Sequence, residues 1–180
     1  MNYQAKQSGQ IRLLIIIGIL FAINFSLFYW PGFPENMRAL SGDLPLNRIP
    51  DVDLRFATDE IYDFLTQIGP DGREAFRIMH LTVDLSFPLI YTLFFFLLIK
   101  YLLLRLDRSV KWLPFFPVLA GLFDLSENLI LNYLTEQYPT YYPTLTALVE
   151  LITIIKFTLI ITTLLIAIYL GLRSIISSSK

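Results

Sequence analysis

Apolar positions along this chain gather into four long blocks, at about residues 11–30, 78–103, 112–134 and 144–172, separated by stretches rich in charge, Pro and Gly. Each block can cross about 30 Å of hydrocarbon at about 1.5 Å rise per helical residue. The pattern predicts an all-α, polytopic membrane protein. It is a four-transmembrane-helix bundle forming a single membrane domain over residues 1–180, with a long first extracytoplasmic loop at about 31–76. Within that loop Ile61, Phe64, Leu65 and Ile68 recur at i, i+3, i+4, i+7. This spacing predicts a short amphipathic helix, started by Thr58 or Asp59 and stopped by Gly69-Pro70, lying on the membrane surface or on the mouth of the bundle. Pro70-Asp71-Gly72 predicts a turn, after which Arg73, Glu74 and Arg77 lead into the second span.

Composition agrees with this pattern, at 55% apolar, 15% aromatic and a mean hydropathy of +0.59 over 180 residues. The apolar share exceeds that of ordinary soluble domains. Lys6 and Arg12 before the first block have the look of a secretory signal, yet the run is long and no small-x-small cleavage site follows, so it is expected to stay as an anchor. The chain has no Cys and one His, His80, which argues against disulfides, thiolate chemistry and the common metal sites. It carries no glycine-rich phosphate loop, so no cofactor, no metal and no nucleic-acid partner is expected. Lys100, Arg105, Arg108 and Lys111 stand in or beside the second connection against Asp107 alone, whereas 135–143 holds no Lys or Arg. The positive-inside rule therefore puts both termini and the middle connection in the cytoplasm. The first connection carries nine carboxylates against four Arg and is an acidic extramembrane segment.

Four carboxylates fall inside the spans: Asp84, Asp124, Glu127 and Glu150. A charge near the bilayer centre costs about 2.5 to 3.5 kcal/mol even on the lenient insertion scale, so such groups face protein or water and mark functional sites by default. Counted from the outer helix ends, Asn24, Asp84 and Glu150 lie about 9 Å deep, Glu127 and Asn128 about 10 to 12 Å, and Asp124 about 16 Å. They are expected to meet in the outer half of the bundle. Asp124-x-x-Glu127-Asn128 occupies one helix face, extended outward by Asn132; His80 and Asp84 share a stripe with Pro88 and Tyr91; Thr146, Glu150, Thr153 and Phe157 form a third stripe. Pro88 should kink its helix and free a carbonyl that something inside the bundle must satisfy. Lys156, about 18 Å deep, needs a partner, and an ion pair with Asp124 is the expected one.

Four carboxylates and one lysine sum to 1 − 4 = −3. Low-dielectric surroundings do not hold that charge, so protons are shared or a cation completes the site. Asp84, Glu127 and Asp124 are the catalytic candidates. Asn128, Glu150, Lys156, His80, Tyr91 and Asn24 are the ligand-binding ones. Against this stands the plainer reading in which Asp124, Glu127 and Asn128 are interhelical glue, Glu150 is solvated from outside, His80 is interfacial and Arg73 and Arg77 hold headgroups or loop carboxylates.

Gly69-Pro-Asp-Gly72-Arg73, Asp84 with Phe87-Pro88 and Tyr91, Asp124-x-x-Glu127-Asn128 and Lys156-Phe157 together resemble a bacterial family of four-helix integral membrane proteins. That resemblance implies a bacterial inner membrane and a polar set acting as a unit, and no particular activity. At the level of architecture the chain is also similar to the EXPERA group, the emopamil-binding and sigma-2-receptor-like proteins, where a carboxylate followed by a proline in the second helix matches Asp84 and Pro88. This likeness implies a sterol-like or cationic amphiphilic ligand, and isomerase-like acid-base chemistry.

The reading that follows is a pocket for a lipid-like or cationic amphiphilic molecule, with Glu127 or Asp84 moving a proton, Asn128 orienting the ligand and Lys156 tuning Asp124. The alternatives are an accessory or assembly subunit with a membrane-protein partner, and an oligomeric proton or cation pathway.

Overall fold

The computed structural model of the chain describes residues 3–27, 50, 60–108 and 110–178. Every regular element among them is an α-helix: α1 (Tyr3–Leu27), α2 (Glu60–Gln67), α3 (Gly69–Leu81), α4 (Val83–Arg105), α5 (Phe115–Glu136) and α6 (Pro143–Ser178). Three stretches are long and apolar enough to cross a membrane: Gly9–Leu27, Gly69–Arg105, which joins α3 to α4, and Pro143–Ser177. The 22-residue α5 has comparable length, but it buries Asp124, Glu127 and Asn128, which dilute its apolar character.

The bundle is polar inside and aliphatic outside. Asp84, Asp124, Glu127, Lys156 and His80 are all at most 7% exposed, whereas Ile16, Ile19 and Ile23 of α1 and Leu165, Ile168 and Ile175 of α6 are more than half exposed. Water does not favour that many isolated aliphatic side chains on one surface, and lipid does. This is the character of a membrane protein. α4, α5 and α6 pack on one another, and α1 docks chiefly against α4. Gly18 of α1 permits that docking, since a Cβ there would stand 3.2 Å from the Phe94 ring.

Two apolar clusters bracket the polar interior. One joins Ile61, Phe64, Leu65 and Ile68 of the α2 segment to Phe76, Met79, Leu131, Leu134 and Val149. The other holds Ile99, Leu102 and Leu103 against Ala167 and Leu170 at the opposite end. The i, i+3, i+4, i+7 stripe therefore faces the mouth of the bundle. Tyr62 clamps it there: its hydroxyl donates to the Thr140 carbonyl at 2.8 Å and accepts from the Tyr142 amide at 3.0 Å. Arg73 donates to the Leu65 carbonyl at 2.9 Å and lies over the Tyr138 ring. It thus satisfies a carbonyl in the last turn of α2.

Several boundaries differ from the sequence-based expectation. Gly69, at φ +67, makes the break after α2, and Pro70-Asp71-Gly72 is the first turn of α3 rather than a free turn. Pro suits that position, where no intrahelical N–H is required. Much of the expected loop at 60–76 is therefore helical, while 31–49, 51–59 and the expected cap at Thr58 or Asp59 lie outside the described residues. The second span begins at Gly69 with an interruption at Thr82, α5 starts at Phe115, and α6 continues past Gly171 to Ser178. Residues 28–30 of the first block are likewise outside the described set.

Candidate functional site

Pro88 decides the local geometry of α4. A helical carbonyl at position i accepts from the N–H at i+4, and Pro88 has none to give, so the Asp84 carbonyl is left without its helical donor. The Asn128 side chain supplies one across the interface, its Nδ2 donating to that oxygen at 2.7 Å. Asn128 is 3% exposed, so this bond replaces what no water is at hand to provide. The close approach that allows it rests on Gly121. A Cβ there would meet Thr92 Oγ1 at 2.0 Å and the Pro88 carbonyl at 3.3 Å, and Thr92 in turn donates to the Pro117 carbonyl at 3.1 Å.

Two residues before Asp84 the helix is interrupted at Thr82, whose backbone (φ −119, ψ −83) separates α3 from α4. His80 and Asp84 face each other across this break, His80 Nδ1 lying 3.9 Å from Asp84 Oδ2 and 2.9 Å from the Phe76 carbonyl. A carbonyl only accepts, so Nδ1 carries the proton that bonds it. The ring is 1% exposed, with the Phe76 ring 4.2 Å away between centroids. On the far side of α4, Asn24 of α1 donates to Ser86 at 2.9 Å, tying the first helix to the start of the site.

The second half of the site lies between α5 and α6. Glu127 is fully buried and accepts hydrogen bonds from Thr153 Oγ1 on one oxygen and from Lys156 Nζ on the other. Lys156 also lies 3.7 Å from Asp124 Oδ1, so the expected pair is present as the looser of two contacts, and Glu127 is the tighter partner. Phe157 adds a ring face 5.0 Å from the ammonium. The Tyr91 hydroxyl is buried in the neighbourhood of Asp124 and Glu127 and has no hydrogen-bond partner among the described residues.

Glu150 does not join them. The buried stripe of α6 runs Thr146, Val149, Thr153 and Lys156, at i, i+3, i+7 and i+10, whereas Glu150 lies on the exposed flank. Taking Glu150 rather than Lys156 as a member of the inward stripe rotates the helix too far, because a buried ammonium and its two carboxylates settle the facing more strongly than depth does. The enclosed charge is then 1 − 3 = −2 for Lys156 against Asp84, Asp124 and Glu127, or −1 when His80 is protonated. Arg73 and Arg77 serve the α2 end of the bundle, Arg77 lying 3.2 Å from Glu74 and 3.6 Å from Glu136.

Beside the charged layer is an apolar cavity of about 250 Å³. Phe21 and Phe25 of α1, Phe87, Tyr91 and Phe95 of α4, and Thr163 of α6 line it, with Ala120 of α5 against one wall. Phe21 stacks on Phe87 at 6.0 Å between centroids, and Phe87 meets Tyr91 edge-on at 5.3 Å. Tyr91 lines this cavity, and its buried hydroxyl is without a hydrogen-bond partner among the described residues. Thr163 is 3% exposed, and its hydroxyl has no hydrogen-bond partner among the described residues. Residue-by-residue attention to charge misses these aromatic walls. The i, i+4, i+8 recurrence of Phe87, Tyr91 and Phe95, opposite the i, i+4 pair Phe21 and Phe25, was the signal that could have revealed them.

No known protein family, no curated protein and no solved structure matches this chain. The likenesses seen in its short motifs therefore lend it no activity, and the geometry alone carries the functional reading.

Proposed function

We propose that this protein is an integral membrane protein of four spanning helices, α1, the α3–α4 pair, α5 and α6, which holds a lipid-like or cationic amphiphilic molecule. α2 caps its extracytoplasmic end, and the basic α4–α5 connection and both termini are cytoplasmic. The observation that carries the reading is the aromatic cavity lined by Tyr91 and Thr163, whose buried hydroxyls have no hydrogen-bond partner among the described residues. Apolar walls with a few convergent polar groups at one end are the usual make-up of a small-molecule site.

The ligand's apolar part occupies the space between Phe21, Phe87 and Phe95. Its cationic or polar end meets Tyr91 and Asp124, where the contact to Lys156 is loosest and the enclosed charge is negative. A volume of about 250 Å³ suits one ring system or one end of an amphiphile. Glu127, committed to Thr153 and Lys156, holds the site together, and Asp84 beside His80 supplies a second acid-base pair should the bound molecule be transformed.

The test is a titration of purified protein with an aromatic alkylamine, with the unfolding midpoint as the readout. Wild type should show a saturable rise. Ala120→Leu, which fills the cavity and leaves every charged residue in place, should abolish it, and Asp124→Asn should weaken it about tenfold or more. An unchanged response in both variants would refute the pocket.

A second reading is favoured by the completeness of the Glu127, Thr153 and Lys156 contacts: a non-catalytic subunit whose polar layer only locks α5 to α6. It predicts no ligand response in wild type and a copurifying membrane partner.

A further inference from the structure

At the end of the bundle opposite α2, where α4 turns into α5, two crevices open on either side of one arginine. One, of about 310 Å³, is lined by Lys100, Arg108 and Lys111 together with Leu103 and Val110. The other, of about 520 Å³, is lined by Arg108 and Arg173 together with Leu106, Val110, Leu113 and Tyr169. Neither has a carboxylate in its wall among the described residues.

The backbone fixes Arg108. α4 ends with Asp107 in the left-handed region (φ 50), the Asp107 amide bonding the Leu104 carbonyl at 3.2 Å and the Arg108 amide bonding the Leu103 carbonyl at 2.9 Å. This pair of bonds is a Schellman closure, and it turns the chain so that Arg108 lies between the two crevices instead of continuing the helix. Lys100 is steered to the rim by the Phe96 ring, 5.9 Å from its ammonium.

We propose that this end binds the headgroup of an anionic phospholipid. The phosphate is held by Arg108 with Lys111 and Arg173, and an acyl chain runs along the apolar wall of Leu103, Val110 and Leu113. A guanidinium fork matches phosphate oxygens in a bidentate way, and a basic notch above aliphatic walls has the same polar-to-apolar order as a lipid entering from its own leaflet. A free phosphate ion would use the basic rim and leave the apolar wall without a partner. The site is separate from the carboxylate layer and does not depend on what that layer binds.

The experiment uses the full chain in neutral detergent, titrated with phosphatidylglycerol, phosphatidylcholine or inorganic phosphate, and reads both the unfolding midpoint and the number of lipids retained in native mass spectrometry. Phosphatidylglycerol should bind saturably and phosphatidylcholine should not. Arg108→Gln should weaken it about five-fold and the Arg108→Gln/Arg173→Gln pair about 25-fold, since each basic contact near a membrane surface is worth roughly that factor. Arg12→Gln, an exposed charge on α1 outside the crevices, should leave it unchanged. Both arginine positions are exposed, so the variants keep their fold, and mass spectrometry scores them even where the midpoint moves. Equal stabilisation by inorganic phosphate overturns the lipid assignment. So does a loss in Arg12→Gln as large as that in Arg108→Gln, or retention of phosphatidylglycerol by the double variant.

Discussion

Replacing Asn128 by Leu tests whether Pro88 and Asn128 form one device. The substitution keeps the branched heavy-atom shape of the side chain, with bulkier methyls in place of the amide atoms, and removes the donor 2.7 Å from the Asp84 carbonyl, whose helical donor Pro88 does not supply. An unsatisfied buried carbonyl costs about 1 to 3 kcal/mol. Side-chain hydrogen bonds between membrane helices average only about 0.6 kcal/mol in double-mutant cycles, with a ceiling near 1.7, because the unfolded chain in the membrane also finds partners. The local geometry selects the upper part of that range. The lost partner here is a carbonyl that its own helix cannot serve while Pro88 is present, so Asn128→Leu should cost about 1 to 2 kcal/mol. Pro88→Ala restores an N–H at i+4, and in that background the same Asn128→Leu change should cost less than about 0.5 kcal/mol. Reversible unfolding in mixed micelles, run on the four members of the cycle, gives the coupling directly. Equal costs of Asn128→Leu in the two backgrounds would show that the Asp84 carbonyl is satisfied by other means, and the account of Pro88 would fail.

Lys156→Met leaves Glu127 and Asp124 buried without their counter-charge and should cost about 3 to 5 kcal/mol, whereas Glu127→Gln, which keeps an acceptor for Thr153 and leaves Asp124 for Lys156, should cost less than half as much in the same unfolding assay. Gly121→Ala should lose about 1 to 3 kcal/mol by forcing α4 from α5, and adding Thr92→Ala should recover part of it because the closest clash is with that hydroxyl; equal stability of the two variants contradicts the contact. Burial raises the Tyr62 phenol above its ordinary pKa of 10.0, so the folded clamp keeps its proton when the unfolded chain loses one. Its stabilisation is complete below about pH 10 and fades as pH rises through the folded value. Hydrogen exchange of α2 should accelerate above that pH in wild type. In Tyr62→Phe it should be fast already at neutral pH, with little further dependence on the phenol.

Much of the architecture was legible before any coordinates. Long apolar blocks could only be helices in lipid, since a backbone without water must close its own hydrogen bonds. The i, i+3, i+4, i+7 stripe over Ile61 to Ile68 named a short helix, and Pro88 announced a carbonyl in need of a donor. The facing of α6 was harder. Thr146, Glu150, Thr153 and Phe157 make as plausible a stripe on paper as Thr146, Val149, Thr153 and Lys156, because in an apolar helix the periodic signal is weak and a few polar residues must settle the rotation. The break at Gly69 was announced by Gly69-Pro70, but Pro70 and Gly72 read equally well as a loop and as a helix start, so the first turn of α3 was not.

The order of apolar blocks and the identity of the residues that cannot rest in lipid are local properties of the chain, fixed by hydrogen-bond closure and by the cost of desolvating charge. Which carboxylate takes the lysine, which oxygen receives the asparagine and where the aromatic rings leave a space are not local. They depend on the rotation and separation of helices distant in sequence. Those are set by contacts such as Gly121 against Thr92 and Lys156 between Glu127 and Asp124, whose partners are named only when the helices meet.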